Sequence, residues 1–151
     1  MARFIYQMQN ILDIKYKLEE QAKQNYMSVK ARLNEALDYM EQLQKRHADY
    51  MSQYTMLVSS NLDIVEIENC KNAILVMETY MNEQQLVINK IEMELEQAAS
   101  EMNEAMKERK IHEKLRENQF EIFKQELNQE EMKEIDELVS YQYNGSNSED
   151  S

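Results

Sequence analysis

The sequence has very few residues that break helices or form tight turns. Its 151 residues include one Gly, no Pro and no Trp. Sandwiches, barrels and doubly wound sheets need Gly, Pro and Asn at their many turns, so this composition excludes them. Long helices remain as the expected structure, in a chain with about one domain's worth of residues.

Cysteine, positive charge and long apolar runs are also scarce. The single Cys excludes a disulfide framework within the chain. The net charge of -12 argues against nucleic acid as the main ligand, because that binding needs cations that neutralise phosphates. Protein partners are favoured instead. No apolar run approaches the roughly 20 residues of a membrane span, so we expect a cytoplasmic protein.

The sequence does contain two long heptad patterns, in which apolar residues recur at alternating steps of three and four. The first seam comprises Ala22, Tyr26, Val29, Leu33, Ala36, Met40, Leu43, His47, Tyr50, Tyr54 and Leu57. The second seam comprises Ile67, Cys70, Ile74, Met77, Met81, Gln84, Ile88, Ile91, Leu95, Ala98, Met102 and Ala105. Two facing seams of this length predict a pair of packed helices.

Both seams change phase at their outer ends. Upstream, the apolar spacing runs from Phe4 to Leu18 and joins Ala22 by two steps of four, which predicts a stutter. Beyond Ala105 the stripe moves to a shifted phase at Ile111. We therefore expect the regular coiled coil to relax at both places.

The turn between the seams is expected near residue 60. Ser59, Ser60 and Asn61 form the best turn cluster before the tail, and Ser60 and Asp63 have the spacing of a capping box. Two helices joined there must fold back on each other to bury their apolar stripes, with paired residue numbers adding up to about 120. We predict an all-α fold, a long antiparallel two-helix coiled-coil hairpin whose second helix extends past the first.

This hairpin is expected to fill residues 1–143 as a single domain. The predicted bounds are a helix over about 2–57, a tip over about 58–62, a helix over about 63–140 and a disordered polar tail over 144–151. Pairing runs out near residue 117, so the end of the second helix is expected to lack an intrachain partner. That overhang carries Phe120 and Phe123, and exposed aromatic residues of this kind favour a binding surface.

Catalytic chemistry has little support in the sequence. A phosphate-binding loop needs several glycines, and the only Gly lies in the tail. His47 and His112 would lie roughly 60 Å apart in the hairpin and cannot share a metal ion. Cys70 occupies a seam position, where a small apolar side chain packs well. We therefore expect a protein that is not an enzyme and that binds neither a cofactor nor a metal.

One basic cluster contrasts with the acidic average. It consists of Lys107, Arg109, Lys110, Lys114 and Arg116. The hairpin geometry places it beside Arg3 at the open end. The alternative is an ordinary salt-bridged helix face, because Arg109 and Glu113 have i, i+4 spacing.

Three blocks of the sequence stand out by their order and spacing. They are Phe4, Met8, Ile11-Leu12-Asp13, Lys15, Glu19-Glu20 and Ala22, then Lys107-Glu108-Arg109-Lys110 and Glu113-Lys114-Leu115, then Glu130-Glu131, Lys133 and Asp136-Glu137. Together these blocks resemble the FliJ family of flagellar export proteins. The similarity covers nearly the whole chain to about Tyr143. It implies a non-enzymatic stalk of the flagellar type III export apparatus, built as an antiparallel coiled coil.

The resemblance also implies partners and a location. The partners are the export ATPase ring, the cytoplasmic domain of the FlhA export gate, and export chaperones. The location is cytoplasmic, at the inner face of the cell membrane at the flagellar base, with membrane association only through the gate. The resemblance places gate contacts at Leu43 and Tyr50 on the first helix and at Met77 and Met81 on the second.

We expect the ATPase to dock at the open end. There the basic cluster and Arg3 would steer the approach, while Phe120 and Phe123 would anchor the complex. A generic cytoplasmic coiled-coil scaffold or chaperone without a secretory role is the alternative function. A neighbouring gene for an export-type ATPase would favour the first function over the second.

Overall fold

Two helices form almost all of the structure. The computed structural model describes residues 3–60 and 63–149, and in this part of the chain there is no strand. Helix α1 spans Gln9–Ser60 and helix α2 spans Ile64–Glu149. The two helices pack against each other in antiparallel order, which confirms the predicted all-α hairpin.

The start of α1 differs from the prediction. Residues 3–8 are not helical, and α1 begins at Gln9, whose amide donates a hydrogen bond to the Tyr6 carbonyl at 3.1 Å. A helix beginning near residue 2 would carry Arg3 in its first turn, where a positive charge is unfavourable. Residues 3–8 therefore form a non-helical segment before α1 begins.

Helix α1 ends at Ser60 and helix α2 begins at Ile64. Helix α1 continues to Ser60, and two residues of the predicted tip, 61 and 62, lie outside the described residues. Asp63 caps α2, since its Oδ1 accepts hydrogen bonds from the amides of Val65 at 3.1 Å and Glu66 at 3.4 Å. The cap of α2 is thus Asp63, whereas the sequence pattern suggested Ser60.

The end of α2 also differs from the prediction. The helix continues to Glu149 and includes residues 144–149, which were expected to form a disordered tail together with 150 and 151. The last two residues lie outside the described part. The extension has a simple physical basis, because no Pro interrupts it and a single Gly in a helix costs only about 1 kcal/mol.

Packing divides the chain into two compact units. The central unit is Glu20–Glu104, and the terminal unit combines Met1–Glu19 with Ala105–Ser151. The core of the central unit consists of Val29, Ala36, Met40, Ile88, Ile91 and Ala98, with Tyr26, Leu33, Met81 and Leu95 packed against it. All of these residues lie on the two predicted seams, so the heptad patterns located this core correctly.

Cross-helix hydrogen bonds give the register of the central unit. Nε2 of Gln84 donates to the Ala36 carbonyl at 2.9 Å, and Sγ of Cys70 donates to the Tyr50 carbonyl at 3.3 Å. In both pairs the residue numbers add up to 120, the value predicted for a reversal near residue 60. The first bond also satisfies a polar residue in the seam, which would otherwise be costly to bury.

In the terminal unit the seam of α1 continues without the predicted stutter. Leu12 and Glu19 are buried, at 2% and 5% exposure, whereas Leu18 is 46% exposed. Leu12, Lys15 and Glu19 keep the alternating steps of three and four that lead to Ala22. The predicted stutter was wrong because Glu19 occupies the seam position that the apolar pattern assigned to Leu18.

The drift predicted for α2 was wrong for the same reason. Arg109 and His112 are half-buried and continue the seam from Ala105, whereas Ile111 is 57% exposed. A pattern that scores only apolar residues loses its phase where ionisable side chains enter the interface. Both outer ends of the coiled coil are regular in spacing and polar in content.

Candidate partner-binding surface

An ionic network in the terminal unit is built around Arg109. Its guanidinium donates to both oxygens of the Glu19 carboxylate, from Nε at 2.6 Å and from Nη2 at 3.2 Å. Nη1 donates to Glu113 at 3.0 Å, and the Tyr16 hydroxyl donates to the other oxygen of Glu113. Fork-like bonding of this kind explains how Glu19 can be buried, because a carboxylate removed from water needs a paired cation.

The network shifts the protonation of three of its members. The Tyr16 hydrogen bond, followed by the Arg109 guanidinium, lowers the pKa of Glu113 below its ordinary value of 4.5, against an opposing effect of desolvation. The same hydrogen bond raises the pKa of Tyr16 above 10.0. Hydrogen bonds to Glu19 and then to Glu113 raise the pKa of Arg109. Glu113 is therefore ionised, and Tyr16 and Arg109 are protonated, over a wide pH range.

This network changes the interpretation of the basic cluster. Arg109 is engaged within the terminal unit, and its pairing with Glu113 is the salt-bridged alternative that the spacing offered. Lys107 also has an interaction partner. Lys110 and Lys114 are exposed, as is Arg3. Lys107 and Arg116 are exposed as well, so Arg109 is the one half-buried cation of the predicted set.

The predicted aromatic anchors pack against the N-terminal segment. The Phe4 ring lies 5.1 Å from the Phe120 ring, edge to face, and 5.5 Å from the Phe123 ring. The Arg116 guanidinium lies 6.0 Å from the centre of the Phe4 ring, and Nζ of Lys124 lies 4.8 Å from that of Phe120. Three rings and two cations thus form one cluster, which we call the aromatic cluster.

The expectation that Phe120 and Phe123 lack an intrachain partner was wrong. A non-helical segment spans up to about 3.3 Å per residue, compared with 1.5 Å in a helix. Residues 3–8 therefore reach farther along α2 than a helix over the same residues would. Pairing extends to Phe123 instead of ending near residue 117.

Beyond the aromatic cluster, α2 presents a largely exposed surface. Met132, Ile135, Leu138 and Val139 are each between 59% and 65% exposed. Several apolar residues on one short stretch of helix leave apolar area in water, which is typical of a surface that binds another protein. The overhang exists, but it begins later than predicted.

The predicted gate residues lie mainly in the seam of the central unit. Leu43 and Met77 are buried, at 2% and 8% exposure, and Tyr50 and Met81 are half-buried. Leu43 and Met77 contribute to helix pairing and present almost no area to a partner. Tyr50 and Met81 lie at the edge of the interface and keep part of their surface accessible.

Helix α2 of the central unit also carries exposed apolar side chains that the heptad seams did not predict. Leu75, Val76, Tyr80, Leu86 and Val87 are between 45% and 70% exposed. Their helical spacing places them on two neighbouring stripes outside the seam. The signal was present in the sequence, as apolar residues next to a complete heptad pattern.

The two histidines lie in different units of the structure. His47 lies 3.2 Å from a carboxylate oxygen of Glu78 in the central unit, and His112 belongs to the terminal unit. Among the described residues, no group of three or more His, Cys, Asp and Glu side chains is arranged to hold a metal ion. Neither helix, within residues 3–60 and 63–149, has a stretch apolar and long enough to cross a membrane.

The comparisons with known proteins identify the family. A family model described as "Flagellar FliJ protein" matches residues 4–148, which is nearly the whole chain. The chain belongs to the FliJ family. FliJ proteins are non-enzymatic components of the flagellar type III export apparatus, so this FliJ chain is a flagellar export component that serves motility. No curated protein and no solved structure matches it.

Proposed function

We propose that this FliJ chain is a stalk that binds the flagellar export ATPase ring and the FlhA export gate. The family match over residues 4–148 carries the proposal, because it covers both units of the two-helix fold. The stalk would also assist export chaperones and their substrates during flagellum assembly. Its place would be cytoplasmic, at the inner face of the cell membrane, held there through the gate.

The terminal unit supplies the proposed ATPase-binding end. Lys110 and Lys114 are exposed cations in a protein of net charge -12, so they would orient the approach of a partner with acidic patches. The aromatic cluster and the exposed apolar residues of the overhang would provide the contact area. Arg109 would act indirectly, since it fixes the pairing of α1 and α2 below this surface.

The central unit supplies the proposed gate-binding face. Val76 and Tyr80 lie one helical turn apart and are each 45% exposed, close in sequence to Met77 and Met81. A Tyr beside an aliphatic residue is typical of the anchors that dominate protein interfaces. We therefore assign gate binding to this exposed stripe together with the accessible edges of Tyr50 and Met81, with Leu43 and Met77 supporting it from the core.

Binding to the export ATPase tests the proposal. The full chain should retain the ATPase in a pull-down and stimulate its hydrolysis, whereas a chain truncated after Leu115 should do neither. Truncation leaves the whole central unit and the Arg109 network in place, so circular dichroism should still show a helical protein. If the truncated chain stimulates the ATPase fully, the terminal unit is not the docking end. If neither chain binds the ATPase, the generic scaffold becomes the better explanation.

A further inference from the structure

Residues 3–8 form a non-helical segment, here called the strap, that lies against α2. Phe4 is half-buried between Phe120 and Phe123, and Tyr6 is half-buried as well. The next residue, Ile5, is 75% exposed. The Phe4 ring therefore makes the contact between the strap and the rings of Phe120 and Phe123.

The rest of the strap is imperfectly packed. A surface groove of about 350 Å³, open to solvent, lies between strap residues and the α2 residues Leu115 and Gln119. The Tyr6 hydroxyl is buried and has no hydrogen-bond partner among the described residues. Buried hydroxyls are normally paired with a donor or an acceptor. Both features make the strap easier to displace than the helix pairing beneath it.

We propose that the surface formed by Phe120 and Phe123 is a docking site for an aromatic side chain on a short extended segment of the export ATPase, and that Phe4 occupies this site in the free chain. The proposal deepens the proposed ATPase binding and rests on it. The strap supports this occupant, because it shows that a non-helical segment with one inserted ring fits the surface. Lys124 lies over the Phe120 ring and also pairs with Glu121 at 3.8 Å, so the cation is held beside the docking surface.

Competition between the strap and the partner has a measurable consequence. When only a fraction of molecules has an open site, the apparent affinity falls by that fraction, and a substitution that opens the site restores it. Phe4→Ala removes the occupant and leaves Phe120 and Phe123 intact. Its association with the ATPase should accordingly be faster by about threefold to tenfold.

The test compares full-length variants for binding to the immobilised export ATPase by biolayer interferometry. Phe4→Ala should associate faster than the wild type, and Ile5→Ala, an exposed residue of the same strap, should not differ from it. The double variant Phe120→Ala and Phe123→Ala should lose stable binding. The fluorescence of 1-anilinonaphthalene-8-sulfonate, measured without the ATPase, should increase for Phe4→Ala and not for Ile5→Ala, because the aromatic surface becomes accessible.

The outcomes separate the two levels of the proposal. Slower or unchanged association of Phe4→Ala, while the double variant loses binding, would overturn the competition and make the strap part of the docking surface. Unaltered binding of the double variant would instead contradict ATPase docking at this end. If Phe4→Ala loses helicity by circular dichroism, a chain lacking residues 2–6 provides the same comparison, since α1 begins only at Gln9.

Discussion

The substitution Leu43→Ala tests whether the seam of the central unit holds the hairpin together. Leu43 is 2% exposed and is the largest fully buried side chain among the described residues. The resemblance to the family placed it in the gate-binding set, whereas the structure places it between the helices. Truncation of Leu43 should therefore lower the free energy of unfolding, and any loss of affinity for a partner should follow from that.

The expected cost follows from its burial. Removing a buried Leu side chain loses its transfer free energy and leaves a cavity, which together cost about 2 to 5 kcal/mol. We expect about 3 kcal/mol here, because a two-helix interface can close partly over the gap. With a slope of about 2 kcal/mol per molar urea, the unfolding midpoint should fall by about 1.5 M.

Urea unfolding followed by circular dichroism at 222 nm measures this change. Leu86→Ala is the matched control, since it makes the same chemical change at a position that is 70% exposed. It should alter the free energy of unfolding by no more than about 0.5 kcal/mol. Equal effects of the two substitutions, or a Leu43→Ala chain as stable as the wild type, would refute the assigned seam.

Three further predictions concern packing, protonation and charge. Ala98→Leu should destabilise the hairpin by about 1 to 3 kcal/mol in the same urea assay, because Ala98 is 2% exposed and no space is left for a larger side chain. The raised pKa of Tyr16 means that its stabilising contribution is complete below pH 10.0 and is lost as the pH rises through the folded-state pKa, while that of Glu113 is complete above pH 4.5 and is lost as the pH falls. As the pH rises above 10.0, the melting temperature of Tyr16→Phe should therefore fall less than that of the wild type. Equal falls in the two proteins would contradict the network. Reversal of Lys110 and Lys114 to Glu should slow association with the export ATPase by about tenfold at low salt and less at high salt, whereas a salt-independent effect would argue against steering.

The sequence predicted the central unit well because its seam is apolar almost throughout. Gln84 is a polar exception, and it did not disturb the pattern because apolar seam residues on both sides preserve the phase. Heptad spacing then determines which face is buried, and a short turn determines the antiparallel order. The hairpin and its register follow from these two facts alone.

The terminal unit was harder to predict because ionisable residues take over its seam. Glu19 lies three residues before Ala22, and Arg109 lies four after Ala105, so both continue the heptads. The opposite charges of Glu19 and Arg109, at seam positions that face each other, could have predicted the network. Side chains in a helix lean toward the N-terminus of that helix. Two long side chains on antiparallel helices therefore contact each other when their residue numbers add up to more than 120.

The path of the strap could not be predicted from spacing. Phe4 and Met8 are four residues apart and fit a helix as well as they fit an extended segment. The contact of Phe4 with Phe120 and Phe123 distinguishes the non-helical segment from a helix. That contact depends on the register of the whole terminal unit. The same contact decides whether the aromatic residues are a free surface or an occupied one.

Export in the living cell tests the central claim most directly. Deletion of this gene in the source organism should strongly reduce the secretion of flagellar filament protein and abolish swimming. The full chain should restore both when supplied from a plasmid, and the chain truncated after Leu115 should restore neither although it accumulates to the same level. Normal secretion in the deletion strain would contradict a role in flagellar export, and full rescue by the truncated chain would contradict the assignment of the ATPase-binding end.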